Sequence, residues 1–65
     1  MDKMYSLTEL GKRTIRAEDG DGPQWRILHY LEDNKVATDS TLEVIGGKSE
    51  TRHLARRGYI KELTT

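Results

Sequence analysis

Apolar residues recur along this chain at helical spacing in four stretches separated by turn signals. Leu7, Leu10, Thr14 and Ile15, with Gly11 on the same stripe, predict a first helix with one buried face. Ser6-Leu7-Thr8-Glu9 has the form of a capping box and would start that helix near Ser6. Met4-Tyr5-Ser6-Leu7 fits equally well as a short strand leading into a helix that begins at Thr8. Asp19-Gly20-Asp21-Gly22 then breaks the pattern, and Pro23 suits the first turn of a second helix because its missing N–H is not needed there. That helix is expected from Pro23 to about Asp33, with Ile27, Leu28 and Leu31 inward, Trp25 and Tyr30 flanking, and Asn34 as terminator. Val36-Ala37 leaves room for a stub of strand. A brief third helix is expected from Thr38 to Ser40 onward, where Ser40-Thr41-Leu42-Glu43 forms a second capping box. Its apolar residues are Leu42, Val44 and Ile45, and Gly46-Gly47 ends it. A fourth helix runs from Lys48 to Arg57 and stops at Gly58, a natural left-handed cap. The alternation in Tyr59-Ile60-Lys61-Glu62-Leu63 predicts a half-buried strand.

Composition sharpens this picture in two ways. At 65 residues, with only 34% hydrophobic side chains, the chain is expected to be a single domain, residues 1–65. Such a domain hides only about 60% of the surface its unfolded form exposes, so a partner surface would help it. Charge is balanced at eleven bases and eleven acids, but not evenly spread. Residues 48–65 hold five bases (Lys48, Arg52, Arg56, Arg57 and Lys61) against Glu50 and Glu62. Local charge therefore favours a polyanion partner, where the whole-chain charge does not. Cysteine is absent, and neither a membrane-spanning run nor a signal-peptide pattern appears, so a cytoplasmic location without membrane association is expected.

The order of helix, strand stub, short helix, glycine turn, basic helix, glycine and strand resembles the winged-helix family of helix-turn-helix proteins, particularly small archaeal and bacterial transcription regulators. Ile27-Leu28-His29-Tyr30-Leu31 looks like the family's first core helix, and Val36-Ala37-Thr38 with Leu42 looks like the strand and cap opening the second. Leu54-Ala55-Arg56-Arg57-Gly58-Tyr59-Ile60 is similar to the end of the recognition helix and the start of the wing strand. The resemblance covers residues 24–63 and implies a mainly α fold with a small β-sheet. Residues 1–22 would be an amino-terminal strand or helix with its linker, and residues 23–63 the helix-turn-helix core and wing strand.

Three departures qualify it. The interval from Gly47 to Gly58 is about one helical turn short. Thr51 stands where a second buried leucine is expected. The wing is short or incomplete, since its returning strand does not follow Leu63. The segment from Tyr5 to Lys12 resembles what normally comes after the wing. This implies that the amino-terminal segment supplies the missing strand, within the chain or by exchange between two chains.

Function is therefore expected to rest on residues 48–57. Thr51, Leu54 and Ala55 share an inward arc, which leaves Lys48, Arg52 and Arg56 as an exposed row with Ser49 and His53 beside it. Arginine reads guanine in the major groove, and Lys48 and Ser49 suit phosphates. The expectation is binding of double-stranded DNA by Lys48, Ser49, Arg52, His53 and Arg56, with Arg57 and Lys61 on the backbone. A transcription-regulatory role and a homodimer would follow from that reading. The bland alternative is a solvated helix face with Arg56 and Arg57 favouring the helix dipole. The rival functional reading is a winged helix that binds a protein or a second copy without binding DNA, anchored by Trp25, Tyr30 or Tyr59. Lys12 and Arg16 form a smaller basic pair on the first helix, read there as ordinary helix surface.

Other motifs carry less. Gly47-Lys48-Ser49 looks like the end of a phosphate-binding loop, but Leu42 stands where that motif needs its first glycine. Asp19-Gly20-Asp21-Gly22 hints at a calcium loop, yet Pro23 and the lack of a glutamate in register argue for a linker turn. His29 and His53 fall on different helices without further ligands at motif spacing, so no metal is expected. No serine, histidine and carboxylate grouping and no carboxylate pair is placed for catalysis. Neither an enzyme nor a cofactor is expected.

Overall fold

A computed structural model describes residues 3–18 and 20–63. In chain order the elements are β1 (Met4–Leu7), α1 (Glu9–Ala17), α2 (Pro23–Asn34), β2 (Val36–Thr38), α3 (Asp39–Gly46), α4 (Lys48–Arg57) and β3 (Ile60–Leu63). The fold is mainly helical with a small three-stranded antiparallel sheet. Among the described residues, no helix is long and apolar enough to cross a membrane.

The strand at the start of the chain is the middle one. The sheet order is β2-β1-β3, with β1 antiparallel to both neighbours. Tyr5 lies opposite Ala37 and Glu62, Leu7 opposite Ile60, and Met4 opposite Thr38 and Leu63. The amino-terminal segment thus pairs within its own chain. Alternation along the strands puts Tyr5, Leu7, Ala37 and Ile60 on one face, and all four are buried. Against that face pack Ile27, Leu28 and Leu31 of α2, Leu42 of α3, Leu54 of α4 and Ile15 of α1. Fully burying an aliphatic side chain of this size contributes about 1.5–3 kcal/mol, so these positions are where the fold is held.

Several local expectations change. Ser6 does not cap α1, because it lies in the central strand, paired with Val36 and Lys61. Thr8 caps instead: its Oγ1 accepts from the Gly11 N–H at 3.1 Å and donates to the Gly58 carbonyl at 2.6 Å. The same residue's N–H donates to the Tyr59 carbonyl at 3.1 Å, so one threonine ties the start of α1 to the end of α4. Likewise Thr38, not Ser40, caps α3, accepting from the Thr41 N–H at 3.2 Å. Leu10 is 46% exposed and Val44 88% exposed, so neither belongs to the buried stripes. Val44 sits two residues after Leu42, on the opposite side of a short helix.

Asn34 is the last residue of α2, but Lys35 makes the turn. Its φ of 73° and ψ of −49° are the strained γ-turn conformation, rare for a side chain with a Cβ. The Lys35 N–H donates to the Leu31 carbonyl at 2.9 Å, while the Asn34 amide is committed to the Tyr30 carbonyl at 3.0 Å. Between α1 and α2, the linker reading of Asp19-Gly20-Asp21-Gly22 falls partly on Asp19, which lies outside the described residues.

Candidate nucleic-acid interface

Helix α4 is positioned by the turn before it and the cap after it. Gly46 closes α3 against α2, where a Cβ would fall 2.7 Å from the Pro23 carbonyl oxygen. Gly47, at φ 97°, is the single residue between α3 and α4. At the other end Gly58 is left-handed, as expected, and its N–H and that of Tyr59 return to the last turn of α4.

The inward arc forms as the sequence predicts. Thr51 and Leu54 are each 1% exposed and Ala55 is half-buried against the core. Thr51 fills the leucine position without leaving an unpaired hydroxyl, because its Oγ1 donates to the Gly47 carbonyl at 3.0 Å. A polar group can thus be buried here at little cost.

The seven candidate residues are all exposed, but they do not share one surface. Lys48, Ser49, Arg52 and Arg56 make a strip along the outer side of α4. None of these cations forms an ion pair with a described carboxylate. Arg52 lies within electrostatic reach of Tyr5, at the end of the sheet where Asp39, Lys3 and Glu62 also converge. Burial, and then Asp39, push the Tyr5 hydroxyl above its ordinary value, with Glu62 adding to them and Lys3 and Arg52 opposing. His53 and Arg57 turn the other way, toward a cleft of about 180 Å³ between α4, α1 and α2 that also holds Glu18 and Trp25. Lys61 stands opposite Ser6 on the sheet face away from the helices, so it does not extend the strip.

The amino end of α4 adds donors to the strip. No side chain caps it, since Gly47 has none, and Lys48 and Ser49 occupy its first turn. Free N–H groups and the positive end of the helix dipole there favour an anion. Glu50, also in that first turn, opposes this in part.

Lys12 and Arg16 are not continuous with the α4 strip. They lie on the far side of α1, lining a larger cleft with Lys35, whereas Thr14 and Glu18 face α4. The sequence offered Lys12 and Arg16 as an i, i+4 pair, but nothing local linked them to Lys35. Comparison with protein-family models, with curated proteins and with solved structures found no match.

Proposed function

We propose that this protein binds double-stranded DNA through α4, in a winged-helix arrangement built from α2, α3, α4 and the sheet. The observation that carries the reading is the outward strip of Lys48, Ser49, Arg52 and Arg56, without carboxylate partners among the described residues, beside an uncapped helix start. Three stacked cations repel one another, and a row of phosphates relieves that repulsion. Strand order also supports the fold reading. β1 occupies the place between β2 and β3 that the returning strand of a wing takes. Arg52 and Arg56 would reach base edges and Lys48 and Ser49 a phosphate at the helix start, while His53, Arg57 and Lys61 lie off that strip. A role in transcription regulation is the natural use of such a module.

The rival reading, a protein-binding module anchored by Trp25, Tyr30 or Tyr59, draws less support because of their burial. Trp25 is 8% exposed, and Tyr30 and Tyr59 are half-buried against the core. Aromatics already spent on the core offer little to a partner.

Titration with random-sequence duplex DNA at two or more salt concentrations tests the proposal. With four phosphates neutralised, log affinity falls with log salt at a slope of about −3.6. Amide shifts confined to α4 and its flanks support it. Absence of binding at low salt, or binding unchanged in the Arg52→Ala/Arg56→Ala double variant, overturns it.

A further inference from the structure

On the other side of α1 lies a cleft of about 430 Å³ lined by Ser6, by the edges of the buried Leu7 and Leu31, and by charged side chains. Lys12 and Arg16 reach it from α1, Lys35 from the turn after α2, and Glu32 from the last turns of α2. Counting the one carboxylate, the lining carries a net charge of two positives. Glu9 sits outside it and holds Lys12 at 3.5 Å. The volume falls in the range of small-molecule pockets, and the lysine and arginine stems extend its apolar wall beneath the charged heads.

Lys35 adds an independent reason to read the cleft as a site. Its backbone is held at positive φ, where glycine would sit without strain, yet the residue there is a lysine whose side chain lines the cleft. Strained positions of this kind recur where a side chain is needed in a fixed place. The charges also converge from two elements around a concavity. A compact anion meets all three at once, whereas a polymer backbone meets cations set in a row, as on α4.

We infer that this cleft binds a small organic anion with an apolar body, an aryl or alkyl carboxylate carrying one or two negative charges. The carboxylate accepts charge-assisted hydrogen bonds from Arg16 and Lys35, with Lys12 released from Glu9 to join them, and the apolar body lies along the lysine and arginine stems over the edges of Leu7 and Leu31. The site is separate from the α4 strip and does not depend on that strip binding DNA.

The test uses the full chain and two probes of one shape, 2-naphthoate and the neutral 2-naphthylmethanol, followed by amide chemical shifts and calorimetry. Shifts should centre on Leu7, Lys12, Arg16, Leu31 and Lys35, and naphthoate should bind at least about tenfold tighter than the alcohol. Arg16→Glu should weaken naphthoate about tenfold, while Arg26→Glu, exposed near the start of α2 and outside the cleft lining, leaves it unchanged. Lys35→Gly should weaken it too, while melting at the same or a higher temperature, which separates loss of the site from loss of the fold. Equal affinity for both probes, shifts centred elsewhere, or indifference to Arg16→Glu and Lys35→Gly would overturn the inference. So would random-sequence duplex DNA that shifts the cleft amides and displaces naphthoate, since the cleft would then belong to a nucleic-acid surface.

Discussion

The two cation clusters of this protein lie on opposite sides of α1 and differ in shape rather than in charge. On α4 the positives stand in a row along a convex helix, from Lys48 to Arg56. Around the cleft Lys12, Arg16 and Lys35 gather about a concavity. A row suits a polymer with charges at regular intervals; a concave cluster suits one compact ligand. Neither shape could be seen in the net charge of zero. The arrangement of charge, not its sum, is what distinguishes the two proposed partners.

The sharpest way to break this comparison is to disable the row alone. Arg52→Ala/Arg56→Ala should weaken duplex DNA binding about 100-fold at low salt, with naphthoate binding untouched. Circular dichroism should show the same helical content, since both side chains are exposed. Thr8→Ala acts instead on the wall between the two clusters. It removes the cap of α1 and the bond to the Gly58 carbonyl, and should cost about 1–2 kcal/mol in urea unfolding. Loss well below that range would mean that α1 is held by its apolar stripe alone.

A smaller effect of opposite sign is expected at the cleft. Lys35→Gly relieves a strained backbone and should raise stability by up to about 1 kcal/mol, read as a rise in melting temperature. Lower stability would show that the lysine stem contributes more by packing than its backbone costs. The smallest effect is at alkaline pH. Because the Tyr5 hydroxyl is raised above 10.0 in the folded protein, its contribution is complete below that pH and is lost as pH rises through the higher folded value. Stability should therefore decline above about pH 10, and Tyr5→Phe should make that decline shallower.

What the sequence made legible was local. Ile27, Leu28, Leu31, Leu42, Leu54 and Ile60 follow from periodicity, and all are at most 2% exposed. The exposed side of α4 follows from the same argument, because an inward arc defines its opposite. Val44 escaped it, since α3 has too few turns for the apolar side to be settled by spacing alone. Pairing of β1 with both other strands is long-range, and only the resemblance of residues 5–12 to a wing-following segment hinted at it. The cleft was invisible because residues 12, 16 and 35 meet only through packing of α1 on α2. Even the turn misled: Asn34 is the residue that tolerates positive φ, and the chain puts Lys35 there instead.

The central position of β1 has a consequence for how the molecule is assembled. Residue 7 pairs with residue 60, so the sheet closes a loop of nearly the entire chain. Most helical proteins of this size have low contact order and fold fast; here the last strand to be made is a neighbour of the first, and closure must wait for it. Met4 and Leu63 are also cross-strand partners, which makes the molecule a natural candidate for circular permutation. A short hairpin joining residue 63 to residue 4, with new ends opened between Asp21 and Gly22, would turn the longest-range pairing into the most local one. The permutant should keep the same sheet and reach it sooner.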